Sequence, residues 1–153
     1  GSETESELAA LGHDIFSYFG LGCRNVSKIY LPEGYNTDKL AAAWKEYERI
    51  IDHNKYANNY DYNKAVYMVN RESFKDIGFL LLLENHAISS PVAVLYYEFY
   101  SDINKLRAEI DNHNDKIQCI AGKNDIPFGM SQRPHLWDYA DGIDTVEFLL
   151  KKN

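Results

Sequence analysis

The sequence has only two cysteines, Cys23 and Cys119, and 4 prolines among its 153 residues. Two thiols are too few for the disulfide framework of a small secreted scaffold, so both are expected to be reduced. Basic charge is also scarce. Lys and Arg number 16 against 23 Asp and Glu, for a formal net charge of −7, and no stretch gathers the cations on one periodic face. Nucleic acid is therefore not expected as a partner. Long apolar runs are missing as well: the longest, Phe79-Leu80-Leu81-Leu82-Leu83, stops at Glu84, far short of a membrane span, and reads as a buried strand. The N-terminal Gly-Ser-Glu-Thr-Glu-Ser-Glu lacks the basic and apolar regions of a signal peptide, and a cytoplasmic location is expected. There is no Gly-x-Ser-x-Gly elbow for a serine hydrolase. His13, His53, His86, His113 and His135 show none of the tight paired spacings of zinc ligands, so no metal is expected.

What is present is the composition of a folded chain, 45% hydrophobic and 25% charged, long enough for one α/β domain with a sizeable core. Leu8, Leu11, Ile15, Phe16 and Phe19 recur at three- and four-residue steps and predict an amphipathic helix ending near Gly20. Residues 26–31 predict a strand closed by the turn Pro32-Glu33-Gly34. A second helix is expected from a cap at Asn36 or Thr37, with Leu40, Ala43, Trp44, Tyr47 and Ile50 on one face. Residues 52–63, rich in Asn and Tyr, predict a polar loop, followed by a short helix over 64–70. Strands are expected at 79–83 and 92–99, with Ser89-Ser90-Pro91 irregular between them because the residue before proline avoids helix. Ser101 is expected to cap a helix with Ile103, Leu106 and Ile110 inward, and 117–121 to form a last strand. A polar stretch, 122–144, then leads to a short apolar end at 146–150. Strands alternating with helices predict an α/β fold, a mostly parallel sheet flanked by helices.

One stretch stands out chemically. Gly20-Leu21-Gly22-Cys23 lies where a helix stops and a strand begins, a place where glycines permit unusual dihedrals and close backbone approach to a thiol. Arg24 and Lys28 would favour the reactive thiolate if they lie near the sulfur. The alternative for Cys23 is a small, inert core residue. Gly20 and Gly22 also have the spacing of the first two glycines of a dinucleotide fingerprint, but Asn25 stands in place of the third, and the order helix-then-strand is the reverse of the phosphate-binding arrangement. Tyr56, Asn58, Asn59 and Tyr60, with Ser89 and Ser90, offer phenol, amide and hydroxyl groups for the edge of a substrate pocket near Cys23. A loop capping the next helix accounts for residues 56–60 equally well.

The run Gly20-Leu21-Gly22-Cys23-Arg24-Asn25-Val26-Ser27-Lys28, followed by Ile29-Tyr30-Leu31-Pro32-Glu33-Gly34, resembles the segment around the catalytic cysteine of aldehyde dehydrogenases. Two further landmarks follow in the same order. Ala87-Ile88-Ser89-Ser90-Pro91-Val92 stands in place of the family's Glu-Ile-Phe-Gly-Pro-Val, and Pro127-Phe128-Gly129 is similar to its Pro-Phe-Gly-Gly. YFGLGCRNVSK and LWDYADGIDT are most similar to the acyl-CoA reductases related to the fatty-acid reductase subunit of bacterial bioluminescence. Leu21 replaces the family's glutamine and Ala87 its ribose-contacting glutamate.

This resemblance implies an aldehyde-dehydrogenase-like catalytic domain in which Cys23 attacks an acyl thioester, coenzyme A leaves, and hydride from NADPH reduces the thioacyl group to an aldehyde. The backbone N–H of Cys23 would help hold the developing oxyanion. The resemblance also implies that the chain is a fragment lacking an N-terminal nucleotide-binding half, with NADPH bound largely by that half and the isolated chain inactive. It leaves open self-association into a homo-oligomer, another aldehyde-dehydrogenase-superfamily activity (aldehyde oxidation or glutamyl-phosphate reduction), and a non-catalytic α/β interaction domain.

Overall fold

The computed structural model describes residues 1–139 and 142–151. Ala140 and Asp141, within the LWDYADGIDT run, lie outside the described residues.

Helix α1 (Glu5–Phe16) starts at Thr4, whose hydroxyl accepts from the Glu7 N–H while the Glu7 carboxylate accepts from the Thr4 N–H. Two orphan donors of the first turn are thereby satisfied. Strand β1 (Lys28–Pro32) follows, then helix α2 (Asp38–Ala43) and a 3₁₀ stretch, Lys45–Asp52. Helix α3 (Asn54–Asn70) leads to strands β2 (Phe74–Asp76), β3 (Leu81–Glu84) and β4 (Val94–Tyr100), and then to helices α4 (Ile103–Asp111) and α5 (Thr145–Leu150). The four strands form one sheet in the order β1-β4-β3-β2, parallel except for the β2–β3 pair. The expected α/β architecture, with a mostly parallel sheet flanked by helices, is thus present.

The period of two along β3 divides the core between the two faces of the sheet. Leu80 and Leu82 join Ile29, Leu31 and Leu95 beneath α1, α2 and Trp44. Leu81 and Leu83 join Val94 beneath Tyr56 and Tyr60 of α3. A strand covered on both faces needs no polar alternation, which is why the leucine run is continuous. Trp44 is fully buried and donates its indole N–H to the Leu8 carbonyl at 2.8 Å. Gly12 of α1 permits this packing: a Cβ there would lie 2.5 Å from the Tyr47 ring and 2.9 Å from Trp44.

Several expectations need correction. The first helix stops at Phe16, not near Gly20, and Phe19 lies outside it, partly exposed and stacked on His53. The apolar face of the second helical segment packs as expected, but beyond Ala43 it continues as 3₁₀ helix. Residues 54–63 are not a loop. They form the first part of α3, continuous with the short helix expected at 64–70. The buried stripe of α3 is Tyr56, Tyr60 and Asn63, at helical spacing, and each polar tip is satisfied: Tyr56 donates to the Phe79 carbonyl, Tyr60 to Asp76 and Asn63 to the Val92 carbonyl. Burial pushes the Tyr56 hydroxyl far above the ordinary tyrosine value. The α4 cap is Asp102 rather than Ser101, and Ile103 is half exposed. Residues 117–121 do not form a strand. Only Ala121 bridges, to Ile126, because Gly122 and Ile126 turn the chain back on itself and leave no sheet edge as partner.

On the α3 side of the sheet, near β1, Lys28 pairs with Glu98 at 2.7 Å and His86 Nδ1 lies 2.9 Å from the other Glu98 oxygen. Burial alone would raise the Glu98 carboxyl, but the hydrogen bonds from Lys28 and His86 outweigh it and hold the group below the usual glutamate value of 4.5. A lowered folded-state value stabilises the fold above the unfolded value, and that stability is lost as pH falls through the folded one. Glu98→Gln should therefore lower stability by roughly 1 kcal/mol near neutrality. Its difference from the parent chain, measured by urea titration at several pH values, should shrink below pH 4.5. A difference independent of pH would contradict this.

Candidate functional site

The site is built where α1 runs into β1. After α1 the backbone turns left-handed at three successive residues, Tyr18 (φ 53°), Phe19 (φ 59°) and Gly20 (φ 71°). For the two non-glycine residues that conformation costs roughly 1–2 kcal/mol each. The offset comes largely from Asn25. Its carboxamide N lies 2.9–3.1 Å from the carbonyls of Asp14, Ile15 and Ser17, satisfying the open end of α1, while its carboxamide oxygen accepts the Gly22 N–H at 2.6 Å. The Val26 N–H also donates to the Asp14 carbonyl.

Asp14 completes the scaffold. Its side chain is wholly buried on the core face of α1, where its two carboxylate oxygens accept the backbone N–H groups of Gly129 (2.6 Å) and Ser131 (2.9 Å). Gly129 has a φ of +84° and passes so close to α1 that a Cβ would sit 3.2 Å from that of Ala10. The Pro127-Phe128-Gly129 landmark is thereby fixed beside the Cys23 turn. Arg24 closes the circuit, donating from Nε to the Ser131 carbonyl at 2.6 Å and lying 3.9 Å from Asp138.

Cys23 is exposed on this frame, and among the described residues no acceptor takes its backbone N–H. The thiol lines a cavity of about 590 Å³, together with Cys119, Lys28 and Ser89 and an apolar lining drawn from α1, β1 and α4. The two cations expected to favour a Cys23 thiolate are engaged elsewhere: Arg24 as above, and Lys28 with Glu98 and the His86 carbonyl. Cys119 is half buried with its Sγ 3.8 Å from the Arg24 carbonyl oxygen. Burial raises its thiol, partly opposed by the charge of Arg24.

The expected pocket edge is only partly assembled. Ser89 reaches the same cavity as Cys23. Ser90 instead holds its own loop, with Oγ 2.8 Å from the Ser27 carbonyl and 2.6 Å from that of Val94. Tyr56 and Tyr60 are core residues on the α3 side of the sheet, and Asn58 and Asn59 are exposed on α3; none of the four lines the cavity. A loop over 52–63 would leave all four free to face the cavity, whereas helix geometry turns the Tyr56 and Tyr60 phenols into the core. Conversely, Asp14 and Asn25, which shape the site, are not among the site residues expected from the sequence. An aspartate one turn beyond Leu11 on an otherwise apolar stripe was the available signal for Asp14.

No protein-family model matches the chain, and no curated protein does. Among the described residues no three His, Cys, Asp or Glu side chains converge as a metal site. Nor, among these residues, is any helix long and apolar enough to cross a membrane.

Two outcomes are expected. Timed alkylation with peptide mapping should label exposed Cys23 faster than Cys119, by about tenfold or more; faster labelling of Cys119 would reverse the assignment. Asp14→Ala strands the buried N–H of Ser131 and the partly buried one of Gly129 and should destabilise the chain by about 2–5 kcal/mol in a denaturant titration. A loss below about 0.5 kcal/mol would mean that the carboxylate does not organise the site.

Proposed function

We propose that this chain is the aldehyde-dehydrogenase-like catalytic part of an NADPH-dependent acyl-CoA reductase, with Cys23 as the acyl acceptor. The observation that carries the reading is the placement of Cys23: an exposed thiol in a glycine-flanked turn, its N–H without an acceptor among the described residues, on the wall of a cavity lined by apolar side chains of α1, β1 and α4 together with polar and charged ones. A thioester carbonyl brought to the sulfur can lean its oxygen on that N–H, and a hydrocarbon chain gains by leaving water for the apolar lining.

The step is an acyl transfer. Cys23 gives up its proton to become the thiolate, and a new S–C bond forms at the carbonyl carbon. The tetrahedral oxyanion then collapses with loss of the coenzyme A thiolate, which takes up a proton. Among the described residues no His, Asp or Glu is hydrogen-bonded to the Cys23 thiol, so water is the proton acceptor in this reading.

The hydride donor finds no cradle in the described residues. Gly20 and Gly22 precede a strand rather than a helix, and the Gly22 N–H is already spent on Asn25. Arg24, the nearby candidate for a phosphate, is tied to Ser131 and Asp138. The residues present therefore do not fit a dinucleotide, and the proposal for them ends at the thioacyl enzyme.

Incubation with a long-chain acyl-CoA should add one acyl mass to the protein, sensitive to hydroxylamine and mapping to the Cys23 peptide. Cys23→Ser should abolish it, and Cys119→Ser should leave it intact. Acylation that survives Cys23→Ser would overturn the assignment. Calorimetric titration of the same chain with NADPH should show no specific binding, and stoichiometric binding would refute the cofactor part of the reading.

A further inference from the structure

We infer that Cys23 and Cys119 form a redox pair, in which a hydroperoxide joins the two thiols in a reversible intramolecular disulfide. The sequence places them far apart, yet both line the same cavity. The Cys119 sulfur lies 3.8 Å from the carbonyl oxygen of Arg24, the residue after Cys23, so the two cysteines meet at the same corner of the cavity. A disulfide needs Cα atoms roughly 4.4–6.8 Å apart. The last adjustment falls on irregular backbone at both ends, since Cys23 sits in the turn before β1 and Cys119 in a stretch without a strand partner.

Exposure divides the roles. Cys23, the exposed thiol, meets the oxidant first; half-buried Cys119 waits beside it as the resolving thiol. The Cys23 thiolate attacks one oxygen of the hydroperoxide, the O–O bond breaks, and an alcohol (water, for hydrogen peroxide) leaves, giving a sulfenic acid at Cys23. The Cys119 sulfur then attacks the Cys23 sulfur. The S–O bond breaks, and hydroxide departs with the Cys119 proton as water. Two thiols lose two electrons in all, and the peroxide gains them. The bond caps the cavity-lining thiol and shields it from irreversible sulfinic oxidation. The pairing itself does not depend on acyl transfer; only the consequence, a switched-off acyl acceptor, rests on that reading.

The test is titration of the folded, reduced chain with hydrogen peroxide, followed by alkylation, non-reducing electrophoresis and peptide mapping. Monomeric protein should lose both thiols together and yield a Cys23–Cys119 cross-linked peptide that dithiothreitol reverses. In Cys119→Ser, and equally in Cys119→Ala, Cys23 should be trapped by dimedone as the sulfenic acid and reach the sulfinic acid about tenfold faster or more than in the parent. Cys23 sulfinic acid forming at the same rate in parent and variants, with Cys119 still free to alkylate, would overturn the pairing. So would cross-links found only between two chains. Acylation by acyl-CoA under reducing conditions reports separately on the function proposed above, so either idea can fail without the other.

Discussion

The Asp14 carboxylate is the contact on which the site depends. A wholly buried charge is stable only when its lone pairs are taken up, and two backbone N–H groups from a distant segment do so here. That requirement brings Gly129 and Ser131 to α1, and the Ser131 carbonyl then becomes the partner of Arg24. The backbone of Asp14 works as well, since its carbonyl accepts from both Asn25 and Val26. One residue thus joins a helix, the turn that carries Cys23 and a distant loop, and the turn holds its left-handed shape because its polar groups have nowhere better to go.

The sheet supplies the rest of the positioning. Parallel pairing of β1 with β4 sets Lys28 within reach of Glu98, and the loop before β4 is pinned to Ser27 through Ser90. Both contacts fall within a few residues of Cys23 along the chain. The wall of the cavity is therefore as rigid as the ladder behind it, while the thiol itself stays in irregular backbone.

Much of this was legible in the sequence. The leucine run and the β-branched segment before Pro32 became strands because their apolar periods leave no other packing, and Leu40, Ala43 and Trp44 packed inward as their spacing requires. Helix α3 was hidden because its inner stripe is made of tyrosine and asparagine, which read as polar until each tip is seen to have a buried acceptor. Residues 117–121 failed in the opposite sense: their apolar character suits a strand, but a strand exists only where a neighbour offers a ladder. The glycine-flanked position of Cys23 could be read directly. Its supports could not, because the Asp14 carboxylate acts through N–H groups more than a hundred residues away, and Asn25 through nearby backbone groups that every residue carries.

The strand order also has a kinetic side. Leu81 pairs with Val94, a separation of 94 − 81 = 13 residues, whereas Lys28 pairs with Tyr96, a separation of 96 − 28 = 68. Loop-closure entropy grows as the logarithm of that span, which makes the second pairing about 1.5 kcal/mol more costly to begin. The sheet is thus favoured to nucleate among β2, β3 and β4, where β2 and β3 pair across only 81 − 76 = 5 residues, and to accept β1 afterwards. The link from Asp14 to Ser131 spans 131 − 14 = 117 residues and closes later still. The turn itself closes early, through the short-range bonds of Asn25, whereas the docking of the Gly129 to Ser131 loop on it is by this measure among the last contacts to form and the first to be released.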